Sequence, residues 1–343
     1  MVRAGSGLIT VRPRRHRCGT IDGVRPFELR GERVWLAAPT RDDVDQITEL
    51  CQDPDIQRWT TVPSPYTRRD AYWFVHEHVR QGWEAGAELT WAVRDRDRGV
   101  RGMIALRLDG AGSAELGFWL GAAFRDSGLI VEAARLVADR AFDPDGLDLT
   151  RLVWRASIGN WASRRVAWKL GFRFHGVVRK ELGKHGERHD AWLATLLADE
   201  PREPAQRWFD VPTLSADGVL LRRWRPSDAD AVAEACTDPV TRHWLGSLPD
   251  PYTRESALQY IAGREEAHAT ARGIHWAAAA DDHRPALGSF SFMNTGEPEI
   301  RKAAEVGYWV APAARGRGIA TSAVRLMVTY AFTPAAAGGL GLR

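Results

Sequence analysis

Glu305-Val-Gly-Tyr-Trp-Val-Ala-Pro-Ala-Ala-Arg-Gly-Arg-Gly-Ile-Ala320 decides the fold. Val306 to Val310 reads as a short apolar strand, Pro312 opens a turn, and a glycine-rich loop runs into a helix from Thr321 to about Phe332. A strand, a glycine loop and a helix in this order make an anion site. The glycines let the backbone approach a phosphate closely, and the first N–H groups of the helix are unpaired donors at its positive end. Successive turn amides form a nest for the same anion. No Lys-Ser/Thr follows the last glycine and the dinucleotide spacing is missing, so this is neither a Walker loop nor a dinucleotide fingerprint. The plainer reading is a solvated basic turn. Against it stands the recurrence of the layout upstream.

That recurrence covers a whole domain. Gly218-Val-Leu-Leu-Arg-Arg-Trp-Arg-Pro-Ser-Asp228 parallels Arg33-Val-Trp-Leu-Ala-Ala-Pro-Thr-Arg-Asp-Asp43. Cys236-Thr-Asp-Pro239 parallels Cys51-Gln-Asp-Pro54, Pro251-Tyr-Thr-Arg254 parallels Pro65-Tyr-Thr-Arg68, and Glu305-Val-Gly-Tyr-Trp309 parallels Glu115-Leu-Gly-Phe-Trp119. A near-constant offset over so many matches means an internal duplication. In the first copy the pattern predicts a strand over 29–37 and a helix through Cys51 that Asp53-Pro54 breaks. A helix over 66–83, strands over 88–94, 100–108 and 115–120, and a helix over 127–142 follow. The copy closes with a strand over 151–157, a helix over 160–170 and strands over 172–179 and 191–196. This is a mixed α/β layer fold.

The spacing Arg315-x-x-Gly318-x-Ala320 after a Glu-x-Gly-Tyr-Trp strand resembles the pyrophosphate loop of the GNAT acyl-CoA N-acyltransferases. The similarity is greatest to the branch of ribosomal-protein and aminoglycoside acetyltransferases. Asn160-Trp-Ala-Ser163, on a helix ending in Gly171-Phe172, resembles the same family's Asn-x-x-Ser helix. The resemblance implies a tandem GNAT fold, a mixed central sheet flanked by helices, with the second copy truncated. The expected organisation is a disordered basic arm over 1–25, a first domain over 26–198, a linker over 199–214 and a second domain over 215–343. The second copy stops at a point matching about Thr150, with a turn at Gly338-Gly-Leu-Gly341. It reads as truncated, either a shortened gene product or a half-domain completed by another chain.

Composition bounds the partners. At 343 residues the prior is two domains. The formal net charge of +3 gives no general argument for nucleic acid, although the arm with Arg14-Arg-His-Arg17 has a second reading as a contact for RNA or an acidic partner. Cys18, Cys51 and Cys236 are too few for a disulfide framework and have no metal-ligand spacing, so a cytoplasmic setting without a metal is expected. No apolar run approaches a membrane span. The tryptophans scatter along strands and helices; Trp59, Tyr66, Trp73 and Trp83 read either as walls of an acceptor cleft or as core.

The resemblance also implies a chemistry: transfer of an acetyl group from acetyl-CoA to an amine. In that frame Arg315, Gly316, Arg317, Gly318, Ile319 and Ala320 hold the cofactor in the second copy. Arg125, Gly128 and Asn160 do so in the first. Glu115 and Glu305, at the starts of the loop strands, are the candidate general bases, and Ser163 is the candidate acid for the leaving thiolate. The first copy departs from the pattern, with Asp126 where the second has Gly316 and Ile130 where it has Ala320. Asp126 or Ser127 is expected to cap the next helix and compete for the phosphate's N–H groups. The rival reading is a catalytically inactive scaffold or binding protein.

Overall fold

Gly31-Glu-Arg33 interrupts the first strand. In the computed structural model, which describes residues 24–184, 186–293 and 303–333, β1 (Leu29–Arg30) folds back on β2 (Trp35–Ala37) as an antiparallel pair closed by the Gly31 N–H to Val34 C=O bond. A turn of 3₁₀ helix leads into α1 (Val44–Leu50). Asp53-Pro54 does more than break this helix. Asp53 accepts the Asp55 N–H and Pro54 sits at N1, so the pair starts a further short helix, α2 (Pro54–Trp59). The helical run 68–85 consists of α3 (Arg68–Trp73), a π-helical segment (Phe74–Val79) and α4 (Arg80–Ala85).

Next come β3 (Glu88–Arg94), β4 (Val100–Leu108), β5 (Ser113–Leu120), α5 (Leu129–Phe142), β6 (Arg151–Ser157), α6 (Trp161–Lys169), β7 (Arg173–Lys184) and β8 (Glu187–Leu197). The sheet runs β1-β2-β3-β4-β5-β6-β8-β7. Its pairs are antiparallel apart from β5 and β6, which run parallel. α5 covers one face with a stripe of buried residues, Leu129, Ala133, Val137 and Ala141, one turn apart. The other face packs on α1 and the π segment through Ile47, Val75, Ala92 and Met103.

The chain divides into two compact units at Pro204 and Ala205. Part of the stretch expected as a linker is built into the second unit, because Trp208 and Phe209 are buried and the Phe209 N–H bonds the His268 carbonyl. Unit 2 repeats the pattern: β9 (Leu214–Ala216), β10 (Val219–Arg222), α7 (Ala229–Thr237), α8 (Pro239–Leu245), α9 (Arg254–Ala269), β11 (Gly273–Ala279), β12 (Gly288–Met293), β13 (Glu305–Val310) and α10 (Ile319–Ala331). Its sheet is antiparallel, in the order β13-β12-β11-β10-β9, and among the described residues β13 is paired on one side. Ile319, Ala323, Met327 and Ala331 repeat the buried stripe of α5. The arm over 1–23 and the Gly338–Gly341 turn lie outside the described residues.

Two differences between the copies have physical causes. Between the matching N-caps Thr67 and Thr253 and the matching left-handed residues Gly86 and Ala271, the first copy holds one residue more. The π segment absorbs it, while α9 runs as a continuous α-helix. Each copy also buries one Arg–Asp pair ahead of its first long helix. Asp43 is held by Arg94 on β3 at 2.8 and 2.7 Å, and Asp228 by Arg222 on β10 at 2.8 and 2.8 Å. The guanidinium arrives from neighbouring strands to the same carboxylate.

Candidate active site

After β5 and after β13 the backbone takes the same course. A 3₁₀ turn (Ala122–Phe124, Pro312–Ala314) leads to two left-handed residues, at φ 57° and 82° for Asp126 and Gly128 and at 70° and 77° for Gly316 and Gly318. A left-handed residue with a side chain costs ~1–2 kcal/mol, a cost that Asp bears better than most. Asp126 therefore keeps the turn that Gly316 makes. Gly128 and Gly318 are the N-caps of α5 and α10.

The difference lies in front of the turn. In unit 2 a Cβ built on Gly316 or Gly318 meets no atom within 4 Å. The backbone N–H groups from Gly316 to Thr321 have no acceptor among the described residues; the first bond of the new helix is Ser322 N–H to the Gly318 carbonyl. Beside them opens a cavity of about 500 Å³, walled by Val240 and Trp244 of α8, Tyr308 and Val310 of β13, and the loop with Ile319, Ala320 and Thr321. In unit 1 the Arg33 guanidinium lies against Gly128, 3.0 Å from the position of an added Cβ, and donates to the Ser127 carbonyl at 2.9 Å. The Ser127 hydroxyl accepts the Leu129 N–H at 3.3 Å. The expected competition for N–H groups thus comes from Ser127. Asp126 is exposed and caps nothing.

Arg125 and Arg315 are engaged within the fold, and Arg315 also lines the cavity beside the loop. Arg125 donates to Asp53 at 2.5 Å, to Asp55 at 3.0 Å and to the Leu120 carbonyl. Arg315 donates to Asp238 at 2.7 Å, to the Thr241 hydroxyl at 2.6 Å and to the Val310 carbonyl. Both brace the loop against the start of α2 or α8. The Thr241 backbone N–H, and then Arg315, hold the Asp238 carboxyl below its ordinary range. Arg317 is exposed and makes no hydrogen bond or ion pair among the described residues, which leaves its charge available at the loop.

Unit 1 holds the other half of the expected machinery. β5 and β6 pair at Ser113–Arg151, Ala114–Leu152 and Glu115–Val153, and beyond that row the two parallel strands part. Glu115 sits at the fork, most of its side chain buried, with Oε2 accepting from Arg155 at 2.5 Å and Arg107 at 3.5 Å. Arg155 also reaches Glu181, and Arg107 reaches Glu88, which meets His78 of the π segment at 3.2 Å. Glu115 is thus one member of a row of charges crossing the sheet. Asn160 caps α6 through the Ser163 N–H at 3.2 Å, and the Ser163 hydroxyl accepts the Trp154 indole N–H at 3.1 Å, which leaves its own proton free to be donated. In unit 2 Glu305 is exposed at the start of β13, in the row of Met293.

Of the four aromatic residues considered for an acceptor cleft, Tyr66 and Trp83 are core. Trp73 is exposed, and Trp59 lies half-buried against the Gly159 turn that precedes Asn160. Reading by sequence missed Asp53 and Asp238 as loop anchors, though their recurrence in Cys-x-Asp-Pro was the available signal. It also missed Val240, Trp244 and Tyr308, whose exposure follows from tertiary placement alone. Among the described residues no helix is long and apolar enough to cross a membrane, and no group of three or more His, Cys, Asp or Glu residues is placed to hold a metal ion.

The family model described as acetyltransferase (GNAT) domain matches residues 33–173 and 219–340. Among curated proteins the chain is similar to the putative ribosomal N-acetyltransferase YdaF of Bacillus subtilis, 36% identical over 106 residues, 30% of this chain and 57% of that protein. This match spans little more than half of YdaF. The chain is also 28% identical over 176 residues to the probable N-acetyltransferase YjcK of Bacillus subtilis, covering 51% of this chain and 92% of that one. Among solved structures, a putative ribosomal-protein-serine acetyltransferase from Vibrio cholerae aligns at TM-score 0.46 and 20% identity, over 50% of this chain and 97% of its own. The Microcin C7 self immunity acetyltransferase MccE, solved with acetyl-CoA and AMP, aligns at 0.45 and 19%, over 49% and 93%.

Proposed function

The chain belongs to the acetyltransferase (GNAT) domain family, and on that premise we propose that it moves an acetyl group from acetyl-CoA to a primary amine: a peptide N-terminus, a lysine or a small amine. The observation that carries the reading is the row of unpaired N–H groups from Gly316 to Thr321 beside the 500 Å³ cavity. A pyrophosphate fits such a row, since the donors are already aimed and the helix end favours negative charge. Arg317 adds a cation at the rim. Val240, Trp244 and Tyr308 offer an apolar wall to the rest of the molecule.

Acetyl-CoA supplies an activated thioester. The residues then have three tasks. An amine of pKa ~8 (α-amine) or ~10 (lysine) is mostly protonated near neutrality and must lose a proton before it attacks. Glu305, or Glu115 in unit 1, accepts it directly or through water. As the N–C bond forms and the C–S bond breaks, the thiolate takes a proton, and Ser163 has one to give in unit 1. Holding both reactants in one ternary complex supplies much of the rate.

A second reading is favoured in unit 1 by the Arg33 contact at Gly128 and by the ion pairs that occupy Glu115. There unit 1 acts as a non-catalytic scaffold. Thiol release from acetyl-CoA, followed across a panel of amines, tests both. Release that needs an amine and is lost on blocking the unit 2 loop supports the transferase. Tight acetyl-CoA binding with no amine-dependent release supports the scaffold, and no binding sinks the cofactor assignment.

A further inference from the structure

Unit 2 buries a polar cluster with two histidines between α9 and its sheet, where unit 1 has the half-buried His78–Glu88 pair of the π segment and β3. Along α9, Tyr260, Arg264 and His268 face Ser289 and Ser291 of β12 and His275 of β11. Tyr260 bonds Ser289 at 2.7 Å, and His275 Nδ1 lies 2.7 Å from the Ser291 hydroxyl and 3.4 Å from Arg264. The His268 ring is fully buried, His275 is 4% exposed, and the two rings lie 5.6 Å apart. The equivalent positions in unit 1 follow from matching hydrogen bonds. Gly82 and Ala267 accept the closing bonds of their helices, which aligns Trp83 with His268. Trp91 and Trp276 each bond an upstream carbonyl, which aligns Thr90 with His275 and Ala105 with Ser291. None of the three unit 1 residues carries a charge at any ordinary pH.

The contacts fix both imidazoles as neutral. Arginine can only donate, so His275 Nδ1 is an acceptor and the ring proton sits on Nε2. His268 Nε2 accepts the His275 backbone N–H at 3.0 Å, so its proton sits on Nδ1. That Nδ1 has no hydrogen-bond partner; the nearest carboxylate oxygen, on Glu265, is 3.8 Å away, and Glu265 is already held by Arg223 of the β10–α7 turn at 2.5 Å. The charged groups around the pair are Arg264 and Glu265 on α9, Arg272 before β11, and Arg223. Across β12, the same sheet face of β13 carries Glu305, two residues from the Gly307 that pairs with Ser291. A proton added to His275 Nδ1 would meet the Arg264 guanidinium. One added to His268 Nε2 would meet a backbone N–H. Either destroys a contact and puts a second cation in a seam already rich in arginine.

We propose that the α9–β11 seam is an acid-release latch: proton uptake by His268 and His275 frees α9 from the unit 2 sheet, while the matching seam of unit 1 stays closed. Burial first, then Arg264, pushes the His275 ring down to about 3, and burial pushes His268 down as well. The sign is that of a base kept neutral by folding. Its stabilisation is complete above the unfolded value of ~6.5 and is lost about tenfold per pH unit as pH falls below it.

Hydrogen exchange on the full chain at about pH 7.5 and about pH 5, corrected for chemical exchange, tests the latch. Opening of 254–269 and 273–279 should rise roughly thirtyfold at the lower pH from His275 alone, and further with His268. The unit 1 segments 80–85 and 88–94 should lose no protection at the lower pH, where the His78–Glu88 pair is the stronger. His268→Gln with His275→Gln preserves hydrogen-bonding capacity and cannot charge, so the rise should vanish. Equal protection of α9 at both pH values overturns the proposal, as does an undiminished rise in the double variant. Should that variant fail to fold, the comparison of the two seams in the wild-type chain decides alone.

Discussion

Gly316→Asp imports into unit 2 the residue that unit 1 carries at position 126. The backbone should tolerate it, because Asp126 already holds φ 57° where Gly316 holds 70°, and the space ahead of Gly316 is open. The loss should therefore be electrostatic. A carboxylate on this loop would stand about 5 Å from a pyrophosphate seated on the N–H row. Coulomb's law then gives about 0.8 kcal/mol per pair of charges at the dielectric of water and about 3 kcal/mol at an effective value of 20. For a rim position we expect a loss of ~1–3 kcal/mol, a roughly fivefold to hundredfold weaker Kd for CoA. Gly316→Asn is the control, since Asn also accepts the left-handed region and is neutral. Calorimetric titration of CoA should show Asn near wild type, Asp weakened, and the gap between them shrinking as salt is raised. Equal affinities for Asp and Asn, or a gap that salt does not touch, would refute the reasoning.

Asp228→Ala strips a buried Arg222 of its carboxylate and should destabilise unit 2 by ~3–5 kcal/mol in urea unfolding; replacing both partners by apolar residues should recover much of that. Glu88, by its hydrogen bond, raises the pKa of His78 above the ordinary histidine value. The stabilisation this contributes is complete below ~6.5 and is lost as pH rises through the raised value. Proton NMR should find the His78 midpoint above that of a free histidine, and Glu88→Gln should bring it down. Asn160→Ala removes the cap of α6 at a cost of ~1 kcal/mol, to be read as faster exchange of the Ser163 and Arg164 amides.

Much of the fold was legible because its signals are local. The Glu-x-Gly-aromatic-Trp strand, the glycine loop and the repeated Asp-Pro and Pro-Tyr-Thr-Arg steps each report on a few consecutive residues. Even the π segment left a trace, as the one-residue slip between the Tyr66 and Tyr252 matches and the strands that follow. What the sequence did not show has a different origin. Asp53-Pro54 stops one helix and starts another, and the sequence shows the stop more plainly than the cap. Arg315 stands out beside its glycines, but its ion-pair partner Asp238 lies far back in the chain and only the fold brings them together. The same holds for Glu115 and Arg155, and for the exchange of Arg94 for Arg222 opposite equivalent aspartates. Long-range charge pairing has no period for a sequence to display.

We propose above all that the glycine loop of unit 2 seats the pyrophosphate of acetyl-CoA. Hydrogen exchange of the full chain with and without saturating acetyl-CoA tests it most directly. Protection should concentrate on the amides of Gly316 to Thr321 and spread to α8, around Val240 and Trp244. Protection confined to Asp126 through Val131, or no change at either loop, would contradict it.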